Sequence, residues 1–462
     1  MAKLYRFVKL NDRFNAQIFT FLLPGKIVRE FTPDCYAKDF VYGYQRWAVS
    51  FVRSDRHIGA FLKLQTTTQG IKCRLDFAFT VLNKDHFTKN EHFIEKSCEF
   101  SHESNVFGRK TFIEIDDLLQ RGFVQEFGDV LIELEMRNVV CLYECYIKLP
   151  KENHSSKQGY GDRLESTYFS FGLFDWSVSL FPDTSSVEAD GSVAVQLQRH
   201  TNFDHLNNVR YRVILGDEGM FDSGEMEQVL DISGFGEPFT VGASVARLSR
   251  GRSTLRIKVE MVSVVSVSEV TMHGLNRNTC RAHLYDRDKQ AWMLEADTSG
   301  KYLTFKLYYT DISHVPRKFS RYVAWNVKVI SQNTSKPVKA QDGPFCKYYV
   351  QQDLDDGVQA KTDIPVDELV DPDSVYLDPE ERKLTVQIDW VDSHLLVQPT
   401  YNSLDDVPRI HKQQMWREIM ALQAENYALE KQLYSYQQSI ARNHSKRRAD
   451  SEPGLRERRP QS

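Results

Sequence analysis

Three short stretches, in each of which a Trp opens an alternation of apolar and polar residues, point to the fold: RWAVSF at 46–51, DWSVSL at 175–180 and AWNVKV at 324–329. Alternation with a period of two indicates a strand with one buried face. A matching strand-like stretch lies downstream of each: LIELEM at 131–136, LRIKVEM at 255–261 and LTVQIDW at 384–390. The repetition predicts one β-unit used three times.

Length and charge are consistent with several soluble domains. The 462 residues exceed what one hydrophobic core usually covers and suggest about three domains of roughly 100–150 residues. A net charge of −4 argues against general binding to nucleic acid or to an anionic membrane. The first seven residues lack the apolar core of a signal peptide, and no apolar run approaches the ~18 residues of a membrane span. We therefore expect a cytoplasmic protein without a membrane span.

Motifs for catalysis or metal binding are absent from the sequence. Seven scattered Cys without a CxxC pair argue against a disulfide framework and a zinc site. No serine-hydrolase elbow, zinc-protease helix, P-loop or dinucleotide fingerprint occurs. Residues 353–357 resemble the start of a calcium loop, but Ile364 stands where the closing Glu belongs. We expect no enzyme activity, no cofactor and no metal.

The first unit carries a specific family resemblance. After Trp47, the stretches FAFTVLN at 77–83, FGRKTFI at 107–113 and DLL at 117–119 follow in order. This series resembles the MATH domain, a TRAF-like β-sandwich that binds peptides in a groove lined by aromatic side chains. Phe107 stands where the family commonly has Trp.

The resemblance implies a set of peptide-binding residues in the first unit. They are Phe61, Phe77, Cys98, Phe107 and Arg109, of which Cys98 is the loosest match. An Arg at this place would favour an acidic or phosphorylated peptide. The alternative that Phe61 and Phe77 are core residues remains open.

The expected fold class is mainly β, with three tandem antiparallel TRAF-like (MATH) β-sandwiches followed by a long C-terminal coiled-coil helix. The boundaries are 1–138 for the first sandwich, 139–270 and 300–397 for two divergent copies, and 271–299 for a linker with a short helix around Trp292. Three unrelated sandwiches, each with Trp on a core strand, are the alternative.

A heptad pattern near the carboxyl end predicts a coiled coil over residues 407–442. Its a and d positions are Met415, Ile419, Leu422, Asn426, Leu429, Leu433, Tyr436 and Ile440. Asn426 falls at an a position, which favours two strands. In a parallel homodimer Glu425 would face Glu430, so a homodimer or a hetero-coil, and a parallel or antiparallel arrangement, all remain open. An amphipathic helix docked on a sandwich is the competing interpretation.

Residues 443–462 are basic, lack apolar periodicity and are expected to be a disordered tail. The tail could serve nuclear import, with Ser451 as a phosphorylation switch. The whole pattern favours a noncatalytic intracellular adaptor that binds short linear motifs of protein partners and self-associates through the coil. The alternatives are a structural assembly protein and an accessory subunit of a ubiquitin-pathway enzyme.

Overall fold

The structure is a computed structural model. It describes residues 1–10, 15–30, 34–65, 68–125, 128–149, 163–182, 192–273, 275, 279–331, 338–339, 343–351, 357–378, 380–397, 419–420 and 422–438. Residues Met1–Gln398 form one compact unit and Pro399–Ser462 a second. Within the described ranges, none of the helices has the length and hydropathy needed to cross a bilayer.

The amino-terminal region consists of strands and one-turn helices. They are β1 (Lys3–Lys9), β2 (Gln17–Leu23), α1 (Lys26–Arg29), β3 (Cys35–Tyr36), β4 (Phe40–Tyr42), β5 (Gln45–Arg53), β6 (His57–Leu64), β7 (Ile71–Val81), β8 (Glu91–Ser101), β9 (Val106–Glu114), α2 (Ile115–Gln120) and β10 (Val130–Lys148). In β7 the odd-numbered residues are buried and most even-numbered ones are not, as its sequence alternation predicts.

The middle region repeats this succession. Its elements are β11 (Leu164–Glu165), β12 (Phe169–Phe171), β13 (Phe174–Pro182), β14 (Val193–Arg199), β15 (Leu206–Leu215), β16 (Phe221–Asp222), β17 (Met226–Leu230), β18 (Phe239–Val241), α3 (Val245–Ser249) and β19 (Thr254–Met272).

The third region follows. Its elements are β20 (Thr279–Tyr285), β21 (Ala291–Asp297), β22 (Tyr302–Tyr309), β23 (Phe319–Val329), β24 (Val338–Lys339), β25 (Phe345–Val350), β26 (Val358–Pro365), α4 (Val366–Val370) and β27 (Leu384–Val397).

One long sheet and three small sheets organise the described strands. The long sheet runs β1-β2-β10-β19-β27-β23-β24, with β7 and β8 attached at β10, β15 to β17 at β19, and β25 at β23. The small sheets contain β3, β4, β5, β6 and β9; β11, β12, β13, β14 and β18; and β20, β21, β22 and β26. Each region thus places a small sheet and a branch of the long sheet in the same chain order, and each ends on a long strand.

The first and the middle region each contain a hairpin with the same turn conformation and the same hydrogen bond from a buried Trp. Gly43 and Tyr44 have φ of 55° and 61°, and Gly172 and Leu173 have φ of 64° and 67°. Two successive residues with positive φ characterise the tight turn that joins twisted strands. Behind each turn a buried Trp donates its indole N–H to a backbone carbonyl five residues earlier: Trp47 to Tyr42 at 2.9 Å and Trp176 to Phe171 at 2.8 Å.

The third tryptophan of this kind is Trp292, and the assignment of Trp325 to the set is wrong. Trp292 lies on β21 of the third small sheet and donates to Asp286 Oδ2 at 3.0 Å. Trp325 lies on β23 in the long sheet, opposite Trp390. The segment 271–299, expected to be a linker with a short helix, instead holds β20 and β21, because Trp292, Leu294 and Ala296 alternate into the core.

The long strands pass through the expected domain boundaries. The boundary at 138/139 falls inside β10, which pairs with β2 over residues 130–136 and with β19 over 141–148. The boundary at 270/271 falls inside β19. One buried cluster contains residues of both the first and the middle region, and a second cluster holds most of the third. The regions are therefore joined by continuous β-structure.

Within Pro399–Ser462 the structure describes helical residues 419–420 and 422–438, here called the C-terminal helix. Five of the expected core positions on it are 45% to 68% exposed: Ile419, Leu422, Leu429, Leu433 and Tyr436. Asn426 is exposed as well. Met415, Ile440 and the basic tail lie outside the described residues, so the coiled coil stays a prediction.

Candidate peptide-binding edge

Two neighbouring strands of the first region each have one partner among the described strands. β8 pairs with β7 in the long sheet, and β9 pairs with β6 in the first small sheet. The unpaired sides of such strands carry backbone N–H and C=O groups that an extended peptide can bind. We name β8 and β9 together the open edge.

Aromatic rings fill the space between the two strands of the open edge. Phe107 on β9 lies 4.6 Å from Phe100 on β8, and Phe112 lies 4.8 Å from Phe93, measured between ring centroids in edge-on contacts. Phe100 in turn contacts Trp47 at 4.9 Å. The packing of large rings on the core holds the edge in a fixed position.

Arg109 links the two strands at the surface. Its Nε donates to Glu95 Oε1 at 2.8 Å, and its guanidinium lies 4.8 Å from the centre of the Phe93 ring. The Arg109 side chain is 50% exposed, so solvent weakens the ion pair. An acidic peptide would have to compete with Glu95 for this guanidinium.

Gly108 allows β9 to lie close against β6. A Cβ placed on Gly108 would come within 2.2 Å of Ala60 O and 2.7 Å of Phe61 Cα, both of which are backbone atoms. Phe61 pairs directly with Gly108 and is only partly buried, while its neighbours Ala60 and Leu62 face the core. The missing side chain therefore leaves the outer surface of the Phe61 ring accessible beside β9.

Replacing Gly108 by alanine is expected to lower the free energy of unfolding by about 2 kcal/mol, because β9 must move away from β6 to admit the methyl group. Chemical denaturation of the whole chain would measure the change. Gly242→Ala is the matched control, since no atom lies within 4 Å of its added Cβ. Equal stability of the two variants would contradict the close approach.

The structure separates the five residues proposed for peptide binding. Phe77 is 2% exposed and contacts Phe79, Phe93 and Phe100, which places it in the core. Cys98 is also buried, and burial raises the pKa of its thiol. A peptide on the surface cannot reach either side chain without displacing core residues.

Phe107 and Arg109 belong to β9 of the open edge, and Phe61 lies beside it on β6, but the three side chains do not share one face. Phe61 projects outward with Gly108, Phe107 points inward opposite Leu62, and Arg109 is exposed at the rim. Two further residues of the open edge are not predicted by any sequence motif: Glu95, the partner of Arg109, and Ile94, which is 50% exposed on β8. Their only sequence signal is the interrupted alternation of β8.

One polar cluster superficially resembles a hydrolase site. Ser177 Oγ lies 2.7 Å from His200 Nε2 and 2.8 Å from Glu165 Oε1. In a catalytic triad the acid binds the other ring nitrogen of the histidine. Here Glu165 accepts from Ser177 and lies 3.7 Å from the same Nε2, and Ser177 is fully buried. The cluster lacks triad geometry.

A cavity of about 130 Å³ lies where the three regions meet, lined by residues that include Lys9, Gln17, Arg287, Asp392 and His394. Pockets for drug-sized ligands and cofactors usually enclose about 300–1,000 Å³. Within the described residues there is also no group of three or more side chains suited to hold a metal ion. The open edge is therefore the better candidate for a binding site.

The sequence model of the MATH domain matches residues 32–136. The MATH match begins at the approach to β3 and ends within β10, so it contains both strands of the open edge. Comparison with curated proteins finds no significant match. The MATH domain is a protein–protein interaction module, and the match supports the β-sandwich and the protein-binding role expected for the first region.

Proposed function

We propose that the chain is a noncatalytic adaptor whose MATH domain binds an extended peptide segment of a protein partner along the open edge. The observation that carries the proposal is the pair of edge strands, β8 and β9, inside the residues matched by the MATH model. Backbone pairing would supply affinity, and Phe61 and Arg109, which lie on different faces, would select side chains on the two opposite faces of the extended peptide.

The Arg109–Glu95 pair suggests the class of peptide. A free guanidinium would attract acidic peptides strongly, but Glu95 already accepts its Nε–H. We propose a peptide with an apolar residue for the Phe61 surface and a polar or acidic residue that shares Arg109 with Glu95. The preference for phosphorylated over unphosphorylated peptides would then be modest.

Replacing both Phe61 and Arg109 by alanine is expected to weaken peptide binding at least about 10-fold, a loss of roughly 1.4 kcal/mol. Peptides would first be selected by display on the immobilised full chain and then titrated in solution. Tyr36→Ala is the matched control, because Tyr36 is a 55% exposed aromatic residue on β3 of the same small sheet. Undiminished binding by the double variant would move the site elsewhere.

We propose further that the middle and third regions are divergent TRAF-like sandwiches and that the C-terminal helix joins two copies of the chain. Support comes from the recurring order of strands and from the exposed apolar stripe of the C-terminal helix. Two linked weak peptide sites bind with higher apparent affinity through effective concentration. A cytoplasmic location is part of the proposal; the seven cysteines are free thiols, as a reducing compartment favours.

A structural assembly protein is the second candidate. The long sheet that runs through Met1–Gln398 makes that unit a continuous β-structure, which suits a building block of a larger complex. The two functions differ in what the C-terminal helix does, since an adaptor without it still binds its peptide and an assembly protein without it loses its partners.

A further inference from the structure

Two buried thiols lie side by side on neighbouring strands of the long sheet. Cys73 on β7 and Cys141 on β10 are direct partners in the antiparallel register. Their Sγ atoms are 3.2 Å apart, and the two residues are 0% and 6% exposed. Both are free cysteines.

The backbone at this pair suits a disulfide. Directly opposed residues of an antiparallel pair have Cα atoms about 4.5–5.5 Å apart, inside the range of about 4.4–6.8 Å found across disulfides. An S–S bond measures about 2.05 Å, so the two sulfurs need to approach by only about 1 Å. Small side-chain rotations can supply that movement without changing the strand pairing.

We propose that Cys73 and Cys141 form a reversible intramolecular disulfide when the folded chain meets a peroxide. One thiolate attacks hydrogen peroxide, which breaks the O–O bond, gives a sulfenic acid and, after protonation, releases one water. The second thiol then attacks that sulfur, and the S–S bond forms as a second water leaves. Overall two thiols lose two electrons and two protons, and one peroxide is reduced to two waters.

Burial controls the rate of this reaction. The hydrogen bond with Cys141 and the burial of its sulfur both raise the pKa of the Cys73 thiol well above its usual value. Because the thiolate is the nucleophile, oxidation should be slow at neutral pH and faster as the pH rises. The ladder between β7 and β10 is interrupted next to the pair, between Arg137 and Val140. Local opening at this irregularity offers peroxide a route to the sulfurs.

The position of the pair gives the bond a mechanical consequence. Cys141 is the first residue of β10 that pairs with β19, opposite Met261, while Cys73 holds the other side of β10. The disulfide would fasten β7 to β10 at the point where β10 leaves the first region and joins the middle region. It would therefore restrain the first region relative to the middle one.

The test is to treat the reduced full-length chain with hydrogen peroxide, block remaining thiols with an alkylating reagent and map the peptides by mass spectrometry. We expect a cross-linked peptide pair containing residues 73 and 141, protection of these two residues from alkylation, reversal by dithiothreitol and a higher thermal midpoint for the oxidised chain. Cys73→Ala should abolish all four, whereas Cys35→Ala, which removes another buried thiol, should abolish none.

Two results would overturn the proposal without relying on any variant. One is that Cys73 and Cys141 both stay reduced even at alkaline pH, after prolonged exposure to a peroxide concentration that fully oxidises the exposed Cys346. The other is that the cross-link forms only after the chain has been unfolded in urea.

Discussion

The Trp292→Ala chain is expected to lose about 4 kcal/mol of unfolding free energy, the usual cost of removing a buried tryptophan. The Trp292 side chain is 0% exposed, and its ring contacts Tyr309, Tyr349 and Trp390 at centroid distances of 4.4, 5.2 and 5.1 Å. Removal leaves a cavity among three large rings that cannot all move inward. We expect the third region to unfold before the rest of the chain.

Trp292→Phe separates packing from hydrogen bonding at the same site. The Phe variant keeps most of the ring but leaves Asp286 Oδ2 without its indole donor, which should cost about 1–3 kcal/mol. Burial raises the pKa of the Asp286 carboxyl, and the bond from Trp292 lowers it. Loss of that bond raises the folded-state pKa further, so the stability deficit of the variant should shrink as the pH falls and Asp286 becomes protonated.

Denaturant unfolding followed by fluorescence and by circular dichroism would measure both variants. Tyr285→Ala on the same hairpin is the control, since Tyr285 is 54% exposed and its removal should change stability by less than about 0.5 kcal/mol. If Trp292→Ala were as stable as this control, Trp292 could not be a core residue of the third small sheet.

Trp47, Trp176 and Trp325 show which structural features a sequence pattern can predict and which it cannot. A Gly lies four residues before Trp47 and Trp176, and it supplies the positive φ of the turn that aims each indole at a carbonyl. Arg321 stands at that position before Trp325, so the spacing alone separates Trp325 from the other two. Alternation could not separate them, because the sequence of β23 from Trp325 to Val329 also alternates between apolar and polar residues.

The sequence pattern does not predict the hairpin of β20 and β21, because its turn contains different residues from the other two. Asp288 stands four residues before Trp292, and Lys289 takes the positive φ of 58°. Asp286 closes the turn by accepting hydrogen bonds from the backbone N–H groups of Asp288 and Gln290. Polar residues without Gly read as a linker in the sequence, although an Asp side chain can organise the same reversal.

The residues of the open edge could be predicted from the sequence only in part, because the register between strands decides which side chains meet. The alternation of Phe77 and Phe79 in one strand already indicates core residues, and the structure buries both. The pairing of Arg109 with Glu95 depends on an irregularity between Leu75 and Phe77 in the β7–β8 register, near Ser97, which has φ of 52°. A single inserted residue changes which side chains meet across strands, and no local pattern encodes that shift.

The second large effect concerns self-association. A chain carrying Leu429→Asp and Leu433→Asp is expected to lose at least about 100-fold in dimer affinity, because each buried Leu contributes roughly 1.5–3 kcal/mol. Leu429 and Leu433 are 54% and 59% exposed on the C-terminal helix. An exposed apolar stripe of this kind is stabilised when another helix covers it.

The matched control places the same two charges on another side of the helix. Tyr427 and Tyr434 are 71% and 63% exposed and lie at b positions of the heptad, beside the predicted contact stripe. Tyr427→Asp with Tyr434→Asp should therefore leave the dimer intact. Sedimentation at several concentrations would compare both chains with the wild type, and equal loss in both would show a general effect of charge on the helix.

Asn426→Leu tests the polar position within the stripe. Removing the amide should strengthen association and admit trimers, because a buried Asn at an a position lowers stability while it favours two strands.

Truncation separates the adaptor function from the assembly function. A chain that ends at Gln398 lacks the C-terminal helix and should remain a monomer that still binds the selected peptides with the affinity of a single site. If that truncated chain lost peptide binding as well, the assembly function would be favoured over the adaptor function.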